Sequence, residues 1–210
     1  MNNQHLNNPR PLPQKPIVAA FDFDGTLTDR DSLPSFLCYT HGFVRTYFNF
    51  FCQLPLFAAY IASLRSRQQT KEAVLTQFFK EEQLQSLQEK GQEFAAKKLN
   101  HLVKPEGLER LQWHLEQGHR CILISANLDL YLEPWAKKHG FHKAICSIVD
   151  SSSGKVTGKL KGLNCWGPEK VRRLEELLGP KTNYTLYAYG DSRGDQELLE
   201  LADHAFYRRF

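Results

Sequence analysis

The apolar run Ile17–Phe21 (IVAAF) stops at Asp22-Phe23-Asp24-Gly25-Thr26, and this junction constrains the fold more than any other stretch of the chain. A short apolar run closed by an acid and a glycine turn reads as a buried strand. Cys121–Ser125 (CILIS), Thr185–Tyr189 (TLYAY) and Ala144–Val149 (AICSIV) read the same way, with His204–Tyr207 as a short edge strand. Helical patterns lie between them. Glu106–Glu116 spaces Leu108, Leu111 and Leu115 along one side, and Tyr131–His139 stops before Gly140. Pro168–Leu178 gathers Val171, Leu174, Leu177 and Leu178 on one face, with proline at its start and Gly179 past its end. This alternation predicts an α/β fold, a Rossmann-like three-layer core with a parallel sheet covered on both faces. Ser151–Lys159 reads as a small hairpin or loop.

Residues 29–104 break the alternation and look wholly helical, most clearly over Thr70–Phe79 and Glu81–Leu102. An insert this long is no ordinary connection. The expected organisation is a tail over 1–16, a core over 17–28 and 105–210, and a helical cap over 29–104. The polar, proline-rich tail lacks the apolar centre of a signal peptide and reads as disordered. Five cysteines without a C-x-x-C pair argue against a disulfide framework and a zinc site, and for buried, reduced thiols in a cytoplasm. A net charge of +4 with scattered basic residues suits an anionic ligand and speaks against nucleic acid. No phosphate-cradling G-x-x-x-x-G-K-[ST] or G-x-G-x-x-G occurs.

Asp22 and Asp24 are two residues apart and repel unless a cation neutralises them. Such hard oxygen donors suit Mg²⁺. Gly25 permits a sharp turn, and Thr26 offers a hydroxyl and an N–H to a phosphate. Taken alone, the stretch is also compatible with an ordinary Asp-Gly turn. Ser125 ends a second strand, and Lys170 stands in the first turn of a helix, where an anion would offset its clash with the helix dipole. Asp191 and Asp195 (GDSRGD) follow a third strand. The carboxyl edge of an open α/β sheet is where ligands bind, so acids, a hydroxyl and a lysine meeting there make a site for phosphate and a divalent metal.

DFDGT, Ser125, Lys170 and GDSRGD, in that order, resemble the four motifs of the haloacid dehalogenase superfamily of phosphatases, and the helical insert resembles the cap of its phosphoserine-phosphatase-like branch. The resemblance implies that Asp22 is the nucleophile and forms a phosphoaspartate. It implies that Asp24 is general acid and base, a feature of phosphatases rather than the superfamily's ATP-driven pumps. Mg²⁺ would be held by Asp22, the Asp24 carbonyl and Asp191. Ser125 and Lys170 would hold the phosphoryl oxygens, and Asp195 would orient Lys170 or a metal-bound water. Asp31 stands where phosphoserine phosphatases carry a Glu for the substrate ammonium, though a helix N-cap is an equal reading.

Thr46–Leu64 contains no charge and is flanked by Arg45, Arg65 and Arg67. It reads as the apolar core of the cap, as a helix pair in a membrane interface, or as a transmembrane span, with Pro55 splitting or kinking it. The DGTLTDRDS start, ISANLDLYLEPWA and NCWGPEKVRRL also resemble the phosphatidylglycerophosphatase C-type subfamily. That resemblance implies a lipid headgroup phosphate as substrate and a place at the inner face of the membrane. A soluble metabolite such as phosphoserine or a sugar phosphate is the alternative partner, and a catalytically silent phosphate-binding protein the third. Arg65 and Arg67 are candidate substrate contacts, and Arg193 either touches substrate or pairs with a surface acid.

Overall fold

The computed structural model describes residues 15–210. The expected tail, apart from Lys15 and Pro16, lies outside them. Strand β1 (Ile17–Phe21) is followed by helices α1 (Ser32–His41), α2 (Phe43–Cys52), α3 (Leu54–Ile61), α4 (Arg67–Phe79) and α5 (Leu84–Lys97). Then come α6 (Pro105–Glu116), β2 (Arg120–Leu128), α7 (Asp129–Lys138), β3 (Lys143–Ser147) and a hairpin, β4 (Val149–Ser152) with β5 (Lys155–Leu160). The chain ends with α8 (Pro168–Leu178), β6 (Thr185–Gly190), α9 (Gln196–Leu201) and β7 (His204–Tyr207).

Five strands form one parallel sheet in the order β3-β2-β1-β6-β7. The chain builds outward from β1 on one side, then crosses to build on the other. The order therefore reverses between β1 and β6, where open α/β sheets leave a crevice. Side-chain alternation explains why both faces are covered. Val18 and Ala20 join Ile122, Ile124, Leu174 and Leu198 on one side. Ala19 and Phe21 join Leu111, Leu123 and Trp135 on the other.

The structure redraws several expected boundaries. β2 continues past Ser125 to Leu128, but its pairing with β3 is regular only to Ile124 and shifts before Leu128. β3 ends at Ser147, and Val149 already belongs to the hairpin. The helix expected from Glu81 begins only at Leu84. Glu81, Glu82 and Leu84 are taken by the hairpin instead, through Glu81 N to Val156 O at 2.9 Å, Val156 N to Glu82 O at 2.9 Å and Leu84 N to Gly154 O at 2.8 Å. It stops at Lys97, ahead of a tight turn over Leu99–Leu102. The uncharged stretch is two helices broken at Gln53, with Pro55 in the first turn of α3. No described helix is long and apolar enough to cross a membrane.

The insert leaves and rejoins the core through adjacent backbone. Asp29 N donates to Leu102 O at 3.0 Å, and Lys104 N to Leu27 O at 2.8 Å. One apolar cluster runs through both parts, from Phe36, Leu75 and Phe94 in the insert to Phe23, Tyr131 and Trp135 in the core. Cys121, Cys146 and Cys165 are buried, Cys38 is half-buried and Cys52 is exposed; all five are free thiols.

Candidate active site

The carboxyl ends of β1, β2 and β6 open into a cavity of about 530 Å³ roofed by α3 and α4 of the insert. Asp22 leaves β1 with its N–H donating to Tyr189 O at 3.0 Å, which ties it to the end of β6. Gly25 turns the chain at φ 82°, and a Cβ there would meet Asp191 Oδ2 at 2.4 Å. The turn therefore brings backbone against a carboxylate, which only glycine allows.

Lys170 is buried in the first turn of α8. Its ammonium donates to Asp22 Oδ1 at 2.6 Å and Asp195 Oδ1 at 2.5 Å. The other Asp195 oxygen accepts from Asp191 N at 3.2 Å, Ser192 N at 3.0 Å and Ser192 Oγ at 2.8 Å. Burial works to raise the Asp195 carboxyl, but Lys170 and Ser192 outweigh it and hold it below the ordinary value. Burial pushes Asp22 up to about 7 despite Lys170. Burial and Asp195 also raise Asp191.

Asp24 faces the other way. Its carboxylate accepts from Ser32 N at 2.7 Å and Asn127 Nδ2 at 2.6 Å. Burial, then the charge of Asp31, pushes it up to about 6, against those hydrogen bonds. The two acids of DFDGT thus sit in separate surroundings, one against an ammonium and one against neutral donors.

The hydroxyl of Thr26 is turned inward rather than to the cavity, lying 3.3 Å from Asp22 Oδ2 and 3.2 Å from Asp191 Oδ1 as donor to this pair. Ser125 lines the cavity, its Oγ accepting from Asn127 N at 3.0 Å. Asp31 caps α1 by accepting from Leu33 N at 2.8 Å, and also accepts from Asn127 Nδ2 at 3.1 Å. Arg67 reaches the cavity and lies 4.8 Å over the Trp166 ring. Arg65 does not; it lines shallow depressions beside Leu64 on the outer face. Arg193 pairs with Glu197 at 2.8 Å, the surface-acid alternative.

Sequence reasoning missed Asn127, Lys71 and Trp166. Asn127 connects Asp24, Asp31 and Ser32. Lys71, half-buried on α4, donates to Ala126 O and Asn164 Oδ1, and burial lowers its ammonium to about 8. Asn127 and Trp166 lay within stretches already noted as family-like, but nothing in their spacing showed what they touch.

One carboxylate oxygen each from Asp22, Asp191 and Asp195 lie within 4.8 Å of one another. Lys170 occupies an oxygen of Asp22 and of Asp195, leaving Asp22 Oδ2 and Asp191 as the better donors. The buried Asp22 and half-buried Asp191 carboxylates, both raised, fit a hard divalent cation at this spacing. The Asp24 carboxylate is committed to Ser32 and Asn127, so this residue has only its carbonyl to offer a metal.

A parallel 3-2-1-6-7 sheet, an acidic turn after β1, a buried lysine from α8 and acids after β6 define a hydrolase of the haloacid dehalogenase type. The model of that family, haloacid dehalogenase-like hydrolase, matches residues 19–200, and the chain belongs to it. It is similar to Protein CicA of Caulobacter vibrioides, 34% identical over 197 residues that cover 93% of this chain and 87% of that protein. A Bordetella pertussis Tohama I protein of unknown function shares the fold at a TM-score of 0.77 and 23% identity, over 89% of this chain and 87% of that one. A phosphoserine phosphatase, solved as a phospho-aspartyl intermediate analogue, shares it at 0.58 and 15% identity, over 90% and 84%.

Proposed function

We propose that this hydrolase is a phosphatase that cleaves phosphomonoesters through a phosphoaspartate on Asp22. The observation that carries this is the contrast between Asp22, in contact with Lys170, and Asp24, two residues on and held by Ser32 and Asn127. Asp22 attacks phosphorus in line and the bond to the ester oxygen breaks. Asp24, whose carboxyl burial raises to about 6, gives its proton to the departing alcohol. It then takes a proton from the water that cleaves the acyl phosphate and frees Asp22. Lys170 and Ser125 offset charge on the phosphoryl oxygens. Asp22, Asp191 and the Asp24 carbonyl would hold Mg²⁺, which would supply charge neutralisation. The solved phospho-aspartyl analogue of a phosphoserine phosphatase, a protein of the same fold, supports the reading.

The test is phosphate release from para-nitrophenyl phosphate with Mg²⁺, with acid-quench trapping of a labelled phosphoenzyme. Asp22→Asn is expected to lose at least a thousandfold in kcat, about 4 kcal/mol of barrier, and the trapped label. Less than a tenfold loss would overturn the nucleophile, and no turnover by the intact enzyme would favour a silent binding protein.

A lipid headgroup phosphate is the substrate favoured by the surface of α2 and α3. Phe43, Phe48, Phe51 and Ile61 are 67%, 65%, 69% and 82% exposed, near Arg45 and Arg65. Aromatic and aliphatic side chains with arginines at their margin suit a membrane interface of anionic lipid. Phe57 and Tyr60 of the same α3 segment line the cavity, so a lipid-docked enzyme would have its entrance close to the headgroups. A soluble phosphorylated metabolite remains the competing substrate.

A further inference from the structure

We propose that Asn127 is a positioning residue that aims the Asp24 carboxyl at the departing alcohol, an assignment that rests on the phosphatase reading and deepens it.

An aspartate carboxyl turns easily about its last torsion, where the wells are broad, so its donors decide where its oxygens point. Asp24 has a donor for each oxygen. Oδ1 accepts from the backbone N–H of Ser32 at 2.7 Å, and Oδ2 from Asn127 Nδ2 at 2.6 Å. The first comes with the start of α1, whatever side chain Ser32 carries. The second depends on a side chain brought in from β2, 103 residues away.

Asn127 is itself held in place. It is 4% exposed, and its own N–H donates to Ser125 Oγ at 3.0 Å. Nδ2 also lies 3.1 Å from Asp31 Oδ1 and 3.2 Å from Ser32 Oγ. Three acceptors face two hydrogens, and turning the amide over would set Oδ1 against two carboxylates. The amide therefore has one orientation, fixed from three sides. Its Oδ1 is buried and has no partner among the described residues. An unpaired buried acceptor is costly. A side chain that only filled space would avoid that cost, so it is the donor side that the site uses.

In the first step the bond from Asp22 to phosphorus forms and the bond to the ester oxygen breaks. The Asp24 proton passes to that oxygen and leaves as part of the alcohol. The transfer needs an approach of about 2.6–3.2 Å, and a displacement of about 1 Å costs on the order of a hundredfold. Asn127 takes no part in the bonds that form and break; it acts through Asp24.

Leaving groups of graded acidity test this. p-Nitrophenolate departs readily without a proton, phenolate less so, and a benzyl alkoxide needs one. Asn127→Ala is expected to lower kcat/KM at least thirtyfold for benzyl phosphate and less than threefold for p-nitrophenyl phosphate, with phenyl phosphate between. A general loosening of the site would lower all three alike. Because kcat/KM ends at the phosphoenzyme, slower attack by water does not enter it. In an Asp24→Asn background, Asn127→Ala should cost less than threefold with phenyl phosphate, since the group it aims is gone. Asn127→Asp, of the same shape but without the N–H donors, should widen the gap between the esters in the same way, and serves where the alanine variant does not fold. A loss equal within threefold across the three esters, or the same loss in both backgrounds, would overturn the proposal. Turnover of p-nitrophenyl phosphate by the intact enzyme, and its loss in Asp22→Asn, report separately on the phosphatase reading.

Discussion

Gly25 shows how tightly the site is built around single atoms. Its φ of 82° and the 2.4 Å that would separate a Cβ from Asp191 Oδ2 leave no room for a side chain. Gly25→Ala is expected to push Asp191 aside and to raise the Mg²⁺ concentration needed for half-maximal turnover at least tenfold, with about 1 kcal/mol lost to the left-handed backbone. A Mg²⁺ titration of phosphate release checks it, and an unchanged half-saturation point would show that Asp191 is not a ligand. Asp22, Ser125, Lys170 and Asp191 could be nominated from sequence because strand ends and helix starts announce themselves locally. Asn127 and Lys71 could not. Asn127 lies in the irregular stretch of β2, and Lys71 is an ordinary helix lysine until α4 is laid across the sheet edge.

The core elements were legible because their periods are simple: apolar runs for the parallel strands, leucine spacing for α6 and α8. The insert was less so. Its helices were foreseen as a class, but their ends depend on partners far away in sequence, as when the β4–β5 hairpin takes the backbone of residues 81–84. The uncharged stretch 46–64 left core, interface and membrane span open, since exposure is not written in composition. The α2–α3 pair turns Phe48 and Phe51 outward, while Phe50 and Leu56 pack against the core cluster. Phe48→Asp with Phe51→Asp is therefore the informative change. It should abolish flotation with vesicles of one part phosphatidylglycerol to two parts phosphatidylcholine, yet leave the folded state intact by circular dichroism. Flotation that survives the double change, or is absent from the start, would remove the lipid surface from the account.

At the scale of the whole molecule, insert and core share one apolar cluster, and acid should reveal a weak point beneath it. His114 is fully buried, its Nε2 2.8 Å from the Tyr189 hydroxyl and its Nδ1 2.7 Å from Nδ1 of His119. Burial, then the charges of His119 and Arg110, lower His114 from 6.5 to about 4. The unfolded chain binds the proton near pH 6.5 and the folded chain does not, so the stabilisation is complete above 6.5 and is lost as pH falls toward 4. Asp22 and Asp24, raised by burial, act in the opposite sense over the same range, so the comparison must be with a variant. The stability gap between the intact protein and His114→Gln, from urea unfolding, should shrink by about 2 to 3 kcal/mol between pH 7 and pH 4.5. A gap independent of pH would mean that His114 takes up its proton as readily in the fold as in the unfolded chain.

The adjacent crossings at Asp29–Leu102 and Leu27–Lys104 have an architectural consequence. A segment whose two ends touch imposes no spacing on the strands that flank it, so it can lengthen, shorten or change its outer helices while the sheet and its acids stay where they are. What such exchange must preserve is the oily underside that Phe23, Tyr131 and Trp135 require. Novelty in ligand choice is therefore cheapest on the roof, along α3 and α4, and dearest at the seam.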